Sequence, residues 1–305
     1  MNNPTTRIIT LGSRPSKLAR WQTEHILAQL KSAWPALSFR LVTLVTTGDK
    51  IIDRPLPEIG GKGVFTAELE SALLSGEIDL AVHSLKDLPV ENSAGLSIGA
   101  VGLRACAQDV LISAKGETLW ELPVGARLGT SSLRREAQVK AARPDLTILP
   151  LRGNVDTRLR KVLEGEYDAI ILAAAGIERL GLGNHITEYI SLDVMLPAPG
   201  QGALAIQCRS GDVELLQLLQ PIHDLPTYNA VTAERAFLAA LGGGCSAPVA
   251  AHATLDGAQL EIRGLVAGID GRRVIRVAAM GEDPKKTGGL LAQKALDQGA
   301  AELLR

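Results

Sequence analysis

The sequence predicts an α/β protein with two similar lobes, followed by a smaller α+β domain with a three-stranded antiparallel sheet. From Ile8 to about residue 180, short apolar segments alternate with segments of helical periodicity. This alternation is typical of βα units and a largely parallel sheet. From about Tyr228 the pattern becomes a helix, three alternating strands and a final helix, and the turns LDGAQ and IDGRR carry the Asp-Gly pair typical of hairpins.

The first lobe, up to about residue 105, begins with the buried strand RIITLG, and Ser16 is placed to cap the helix that follows. The next elements are helix SKLARWQTEHILAQLKSAW, strand FRLVTLVT, helix FTAELESALLSG and strand IDLAVHSL, which KDLP ends. The segment from Thr47 to Gly63 is rich in Gly and Pro and predicts a loop. A loop of this length is usually a lid, a binding loop or disordered.

The second lobe starts near Asp109 and repeats the alternation. Its predicted strands are DVLIS, ARLGT, LTILPL and DAIILAA, and its predicted helices are SSLRREAQVKAA, NVDTRLRKVLEG and GIERLG. The Pro/Gly-rich segment MLPAPGQGALAIQC ends in a strand that we expect to lead back to the first lobe. The C-terminal domain is predicted to consist of helix NAVTAERAFLAALGG, strands VAAHATL, QLEIRGLVA and RRVIRVAAM, and a last helix.

Composition limits the partners of the 305-residue chain. Hydrophobic residues make up 46% and aromatic residues 3%, so the cores must be aliphatic. A formal net charge of −1 argues against a protein that grips nucleic acid by its overall charge. The longest apolar runs, such as AIILAAAGI, are too short to span a membrane. We therefore expect neither nucleic acid nor membrane as a partner.

The cysteines and histidines indicate neither disulfides nor a metal site. Cys106, Cys208 and Cys245 lie far apart, no CxxC occurs, and the five histidines lack zinc-site spacing. The first residues, MNNPTTRIIT, lack the pattern of a signal peptide. These features favour the reducing cytoplasm. Cys208 ends the apolar run ALAIQC and is predicted to be a core residue, whereas Cys245 stands in GGGCSAPVA, where glycines leave its nucleophilic sulfur open to approach.

Basic and hydroxyl side chains gather where strands lead into helices. Cations in the first turn of a helix oppose its dipole at a cost of about 0.3–1 kcal/mol each, so an anion is expected near them. Guanidinium groups match carboxylates and phosphates, although any single arginine here could equally be a solvated surface residue. The whole set favours a ligand with several negative groups: Arg14, Lys86, Thr130, Ser131, Ser132, Arg134, Arg135, Arg152, Arg158 and Arg179.

Asp87 is an acid among these cations. A carboxylate in such surroundings suits stabilisation of a developing positive charge or proton transfer. Spacing alone favours a plain turn aspartate, because Leu88 and Pro89 follow it.

Two other functions would explain part of the sequence. A two-lobed receptor for a polyanion would explain the lobes and arginines, but not the third domain, the cysteine loop or the missing signal sequence. A nucleotide-dependent enzyme lacks its motif, since GGKG is not a P-loop and LGLGNH does not lie between a strand and a helix.

Several motifs together resemble one family. From Gly12 to Pro248 they are, in order, GSRPSKLA, TTGDK, GGKGVFTAELE, AVHSLKDLP, GTSSLRREAQ, LRGNVDTRLRK, AAAGIERLG, LPAPGQGALAIQCR and LGGGCSAP. This set is similar to the porphobilinogen deaminase, or hydroxymethylbilane synthase, family. HSLKDLP, GTSSLRR, LRGN and the GGC loop are each quite specific, and the last fifty or so residues lack a distinctive motif.

The resemblance implies an enzyme that joins four porphobilinogen molecules head to tail, losing ammonia from each, and then releases the linear tetrapyrrole with water. It implies a monomer with three domains, residues 1–103 with 202–221, 104–201 and 222–305. The first two look like the lobes of a type II periplasmic binding protein. It also implies a dipyrromethane cofactor, joined through a thioether to Cys245.

The resemblance assigns Asp87 as the catalytic residue, facing pyrrole N–H groups and stabilising the azafulvenium-type cation that loss of ammonia leaves. It assigns cofactor and substrate binding to Arg14, Ser16, Lys62, Ser84, Lys86, Thr130, Ser131, Ser132, Arg134, Arg135, Arg152, Arg158, Arg179 and Gln201. Thr47–Gly63 matches a mobile loop over the cleft, with Lys62 and Phe65 near its end. The chain departs from the family pattern at three positions, Glu58, Cys106 and Gln108. They put one cationic lid contact and inter-domain salt bridges in doubt.

Overall fold

A computed structural model of the chain describes residues 7–50, 66–243 and 247–304. It forms two compact units. The first unit is the part up to Arg104 together with Ala203–Tyr228, and the second is Ala105–Gly202 together with the part from Asn229 onward. None of the helices in the described residues is long and apolar enough to cross a membrane.

The strands and helices follow the order that the sequence predicts, with some additions. The strands are β1 (Ile9–Ser13), β2 (Phe39–Thr43), β3 (Leu80–Ser84), β4 (Leu96–Val101), β5 (Asp109–Ser113), β6 (Arg127–Gly129), β7 (Thr147–Leu149), β8 (Ala169–Ala173), β9 (Glu188–Tyr189), β10 (Leu204–Arg209), β11 (Val249–Asp256), β12 (Gln259–Ala267) and β13 (Val274–Gly281). The α-helices are α1 (Lys17–Ala33), α2 (Thr47–Lys50), α3 (Ala67–Ser75), α4 (Leu133–Ala142), α5 (Val155–Leu163), α6 (Ala174–Arg179), α7 (Val213–Leu218), α8 (Leu225–Ala240), α9 (Pro284–Asp297) and α10 (Ala300–Leu303).

The first unit contains a five-stranded sheet in the order β2-β1-β3-β10-β4. Strands β1, β2 and β3 are parallel, and β10 is antiparallel to both of its neighbours, β3 and β4. The sheet buries an aliphatic core against α1 and α7, with Leu11, Ile26 and Leu30 at its centre. Cys208 belongs to this core, which confirms its prediction as a buried residue.

The second unit contains a five-stranded sheet in the corresponding order, β7-β6-β8-β5-β9. Here β6, β7 and β8 are parallel, and β5 is the antiparallel strand between β8 and β9. Successive residues of β8 alternate between two apolar clusters, so both faces of the sheet are covered. The shared strand order confirms the two similar α/β lobes.

The second unit also contains the antiparallel sheet β11-β12-β13. The two-residue turn between Asp256 and Gln259 has Gly257 at φ 59°, as its Asp-Gly signal predicts. Strand β11 is held to residues 200–202 by Glu234 of α8, whose carboxylate accepts hydrogen bonds from Gly200 N (2.7 Å) and Ala253 N (2.8 Å). The division into three domains at the boundaries given above stays a prediction.

Three local features compare directly with the sequence analysis. Ser16 is the N-cap of α1, and its hydroxyl accepts a hydrogen bond from Ala19 N (3.3 Å), as predicted. The segment predicted as a loop from Thr47 begins with the short helix α2, and its residues 51–63 lie outside the described residues. Strand β4 was not predicted because Gly99 interrupts its apolar pattern. A Cβ on Gly99 would lie 2.6 Å from Leu219 and 2.9 Å from the Cys208 sulfur, so close packing requires the glycine.

Candidate active site

In the first unit, the predicted site residues lie at the carboxyl ends of two adjacent parallel strands. The register pairs Gly12 of β1 with Ala81 of β3, so the residues after both strands emerge side by side. We call these residues the Asp87 cluster: Arg14, Ser16, Ser84, Lys86 and Asp87. Such an edge, where loops meet helix starts, is the usual ligand site of an open α/β sheet.

A short 3₁₀ turn, Leu85–Asp87, fixes the acid of this cluster. Leu85 is buried and its N–H donates to Ala203 O (3.0 Å), and Leu88 is buried on the other side of the turn. The turn is therefore anchored at both ends, which leaves Lys86 half-buried and Asp87 exposed. An anchored turn with an exposed carboxylate can hold that group at a fixed place relative to the sheet.

Ser84, at the start of the same turn, has a partner that sequence reasoning missed. Its hydroxyl accepts a hydrogen bond from Nε2 of Gln22, at 2.8 Å. Gln22 is a buried residue of α1, the helix that begins after Arg14 and Ser16. The sequence signal that could have indicated this contact is Gln22 itself, a polar residue on the apolar face of a predicted amphipathic helix. The bond ties the two loops of the Asp87 cluster to each other through α1.

His83 lies directly before this cluster in β3 and is buried, and its Nε2 has no hydrogen-bond partner among the described residues. Burial lowers the pKa of His83 to about 4; the side chain of Gln207 opposes this lowering, and the positive charge of Arg14 adds to it. Above pH 6.5, the ordinary pKa of histidine, His83 is neutral in both the folded and the unfolded chain, so it does not lower the free energy of unfolding. Stability is lost as the pH falls from about 6.5 towards 4.

We therefore expect His83 to make the fold acid-sensitive. Between pH 7 and pH 4 its protonation should lower the free energy of unfolding by about 3 kcal/mol, because the unfolded chain takes up the proton more readily. Urea unfolding at both pH values measures this loss. The variant His83→Gln should lack the part of this decrease in unfolding free energy that comes from His83. The variant His185→Gln, at a partly buried histidine of the second unit, should show the full decrease. Equal losses in the wild type and His83→Gln would contradict the assignment.

In the second unit, the predicted residues follow three parallel strands, β6, β7 and β8. Thr130, Ser131 and Ser132 lead from β6 into α4, and the turn around Arg152 leads from β7 into α5. The Ser131 hydroxyl joins the two loops, since it donates to Leu151 O (3.0 Å) and accepts from Leu151 N (2.9 Å). Ser131 therefore fixes the residue that precedes Arg152.

The same turn is held from two further sides. Arg158 donates from Nε to Gly153 O (2.7 Å), and Tyr167 donates its hydroxyl to Pro150 O (2.6 Å). Gly153 has φ 111°, a backbone conformation that favours glycine. These contacts give the LRGN segment a defined shape, with Arg152 half-buried within it.

Arg134 and Arg135 lie in the first turn of α4, as predicted, but both are buried and paired with Asp109, the first residue of β5. Arg134 Nη1 lies 2.6 Å from Asp109 Oδ2, and Arg135 Nη2 lies 2.8 Å from Asp109 Oδ1. Gln201 also donates from Nε2 to Asp109 Oδ1 (2.9 Å). We call these four residues the Asp109 cluster. It sets two buried positive charges against one negative charge.

Sequence reasoning missed Asp109 because an acid before an apolar strand looks like a turn residue. Burial alone would raise the pKa of Asp109, but the charges and hydrogen bonds of Arg134 and Arg135 lower it well below its usual range. The only available signal was an acid at the very head of a strand buried on both faces. The Asp109 carboxylate is therefore a permanent anion inside the second unit.

Arg179, at the end of α6, was predicted to bind a ligand, and its described hydrogen bond runs to the main chain. Its Nη2 donates to Gly202 O (2.7 Å), which also accepts from Ala105 N (3.2 Å). Burial lowers the pKa of Arg179 to about 10, so it remains a cation at neutral pH. Gly202 itself has φ 89°, and a Cβ there would lie 2.5 Å from Ala105 O.

The cysteine loop is described up to Gly243 and again from Ala247, and Cys245 lies outside the described residues. Its first glycine has a role of its own. Gly242 has φ 65°, its N–H bonds to Ala239 O (2.9 Å), and Gly243 N bonds to Leu238 O (3.1 Å). These two bonds form a Schellman motif that ends α8. Gly242 is therefore required by the helix end.

Of the other predictions, Lys62, Phe65 and Glu58 lie outside the described residues. The departure at Gln108 has a structural use, because its side-chain amide donates to Ile190 O (3.1 Å). Cys106 is partly buried, with its sulfur 3.8 Å from Gln108 Oε1. Gln108 therefore holds the start of β5 to the segment that follows β9.

Comparison with known proteins covers nearly the whole chain. The family model for porphobilinogen deaminase, dipyromethane cofactor binding domain, matches residues 9–217, and that for porphobilinogen deaminase, C-terminal domain, matches residues 228–297. A porphobilinogen deaminase of Moorella thermoacetica is 52% identical over 97% of this chain and 96% of its own length. One of Halalkalibacterium halodurans is 48% identical over 98% of this chain and 96% of its own.

Among solved structures, the periplasmic VFT2 domain of BvgS from Bordetella pertussis covers 70% of this chain and 86% of its own. It has a TM-score of 0.41 and 17% identity, a likeness that carries no argument about function. The argument about function comes instead from the two family models, which together span most of the chain, and from full-length relatives near 50% identity. The chain belongs to the porphobilinogen deaminase family, the transferases that build a linear tetrapyrrole on a dipyrromethane cofactor.

Proposed function

We propose that Cys245 carries the dipyrromethane cofactor and that the Asp87 and Asp109 clusters serve the family's reaction. In that reaction four porphobilinogen molecules are joined with loss of ammonia, and hydroxymethylbilane is released with water. Each pyrrole carries an acetate and a propionate, so the protein must bind a polyanion that grows as the reaction proceeds. The observation that carries the proposal is the excess positive charge of the Asp109 cluster, two guanidinium groups against one carboxylate.

The described residues fit a group of this chemistry. A buried cation pair with one internal anion still has room, electrostatically, for a further carboxylate. Hydroxyl groups of Thr130, Ser131 and Ser132 stand at the neighbouring start of α4, where helix N–H groups also favour anions. We assign binding of cofactor and substrate carboxylates to this start of α4 and to Arg134, Arg135, Arg152, Arg158 and Arg179. When bound, the dipyrromethane supplies the pyrrole carbon to which the first substrate unit is joined.

Asp87 takes the catalytic role in this proposal. Departure of ammonia from porphobilinogen develops positive charge on the substrate pyrrole. A carboxylate held in an anchored turn stabilises that charge more strongly as it grows, and it needs no reorganisation to do so. Arg14, Ser16, Ser84 and Lys86 stand at the ends of the same two strands and in this proposal donate to the substrate carboxylates. Lys62 and Gln201 complete the assigned binding residues, and Gln201 acts through Asp109.

The remaining assignments are also proposals. Residues 222–305 form a third domain that presents Cys245. The chain works as a monomer, which the family suggests and which light scattering of the purified protein would test. It works in the cytoplasm, which agrees with Cys106 and Cys208 being thiols outside any disulfide, Cys208 within an apolar core.

Intact mass tests the cofactor assignment. We expect the purified protein to exceed its sequence mass by two pyrrole units, to give a pink Ehrlich reaction, and to gain further pyrrole units stepwise when porphobilinogen is added. A protein at bare sequence mass that is still active would refute the proposal. An inactive protein at bare mass would call for incubation with porphobilinogen before measurement, and failure to gain mass then would refute it too.

A further inference from the structure

We propose that Asp109 is a positioning residue that sets the distance and orientation between the guanidinium groups of Arg134 and Arg135. The inference rests on the proposed function in one respect, namely that these arginines bind the carboxylates of cofactor and substrate. The Asp109 side chain is fully buried, so its effect on a ligand must pass through the arginines that it contacts.

The two arginines bind different oxygens of the same carboxylate. Arg134 donates from Nη1 to Oδ2 (2.6 Å), and Arg135 donates to Oδ1 from both Nε (3.1 Å) and Nη2 (2.8 Å). One carboxylate therefore lies between two guanidinium groups that would otherwise repel each other at adjacent positions of one helix. Because it is planar and rigid, it also fixes how the two groups are turned relative to each other.

Backbone carbonyls hold each guanidinium at a second point. Arg134 Nη1 also donates to Leu196 O (2.8 Å), and Arg135 Nη1 donates to Ile171 O (3.0 Å) in the middle of β8. The carbonyls hold each arginine to a different segment of the second unit, whereas Asp109 joins the two arginines to each other.

The carboxylate is itself held in place. Asp109 pairs with Ala173 in the β5–β8 ladder, and its carbonyl accepts from Ile190 N (2.9 Å). Gln201 donates from Nε2 to both Asp109 Oδ1 (2.9 Å) and Ala107 O (2.7 Å). Because its main chain and its side chain are both fixed, Asp109 can hold the two arginines at positions set by the sheet.

The chain offers a matched control in the first unit. Asp79 is also buried and also bridges two arginines, since it pairs with Arg209 Nη2 (2.8 Å) and with Arg7, and it accepts from Thr10 N (2.9 Å). It stands before β3, at the end opposite the Asp87 cluster. Asp79→Asn should therefore lower stability as loss of a buried ion pair does, and leave the kinetic constants of the folded protein unchanged.

Two substitutions at position 109 separate geometry from charge. Asp109→Glu keeps the charge but moves the carboxylate by one methylene, and Asp109→Asn keeps the shape and removes the charge. A displacement of about 1 Å in a positioned group can cost about 10²-fold in rate. We expect Asp109→Glu to raise KM for porphobilinogen, or to lower the fraction carrying the dipyrromethane mass, by at least about tenfold, an effect that Asp79→Asn lacks.

A spectroscopic readout is independent of activity. The arginine Nε–H region of a ¹H–¹⁵N spectrum should contain one protected signal from Arg135, identified by its absence in Arg135→Lys. We expect this signal to be shifted or lost in both Asp109 variants and unchanged in Asp79→Asn.

The outcomes separate cleanly. Asp109→Glu with wild-type KM, cofactor content and Arg135 signal would overturn the proposal. Failure of both Asp109 variants to fold while Asp79→Asn folds would also overturn it, since Asp109 would then be needed only for folding. If only the asparagine variant fails to fold, the glutamate variant decides. A wild-type protein without dipyrromethane or turnover would instead refute the proposed function, and the Arg135 signal would still test Asp109.

Discussion

Asp87→Asn is expected to lower turnover of porphobilinogen by about 10²–10³-fold, the usual loss when one preorganised electrostatic group is removed from an active site. The substitution keeps the shape of the side chain and removes its charge. The turn that carries it is anchored through Leu85 and Leu88, and Asp87 is exposed, so the fold should be unaffected. The loss should appear in kcat, because the charge that Asp87 stabilises develops only as ammonia leaves.

The measurement is steady-state kinetics of the holoprotein, with intact mass to show that the cofactor is present. Glu77→Gln is the matched control, since Glu77 is another exposed acid in a turn, at the opposite end of β3. It should have wild-type constants. Wild-type turnover in Asp87→Asn would remove Asp87 from the catalytic role and leave it as a plain turn aspartate.

Cys245→Ser is expected to leave a folded protein at its bare sequence mass, with turnover below detection. A serine hydroxyl is a far weaker nucleophile than a thiolate, so it should not form the bond that anchors the cofactor. Intact mass before and after incubation with porphobilinogen, together with an assay of hydroxymethylbilane formation, gives the two readouts.

Cys106→Ser provides the comparison for this variant. Cys106 is a partly buried thiol outside the predicted cofactor loop, and its sulfur lies 3.8 Å from Gln108 Oε1. Its substitution should leave both the extra mass and the activity in place. If Cys245→Ser polymerised porphobilinogen at the normal rate, the covalent anchor would have to be abandoned.

Much of the architecture could be predicted from local pattern. Ser16 precedes an amphipathic run and does cap α1, and the Asp-Gly pair before Gln259 does mark a tight hairpin. The alternation of strands and helices gives both lobes, because each βα unit must cover a sheet with helices. The loops after β1 and β3 could likewise be expected at one edge of the first sheet, and those after β6 and β7 at one edge of the second, since parallel strands of one sheet end at the same side.

What could not be predicted depends on partners distant in sequence. Strand direction leaves no trace in an apolar run, so nothing in DVLIS or ALAIQC shows that β5 and β10 are antiparallel to their neighbours. Asp109 and the two arginines are separated by more than twenty residues, and only the folded sheet brings them together. The arginines were thus correctly expected at the start of α4, but their internal counter-ion was not.

The place of β10 has a consequence for how the chain is synthesised. In the described part of the chain, β10 is the strand that joins β3 to β4, and it leaves the ribosome about a hundred residues later than they do. Until Arg209 has emerged, the edges of β3 and β4 that later pair with β10 have unpaired backbone groups. The five strands of the second sheet, β5 to β9, instead follow one another along the chain. Translation therefore favours completion of the later sheet first, and the nascent N-terminal segment needs protection from aggregation meanwhile.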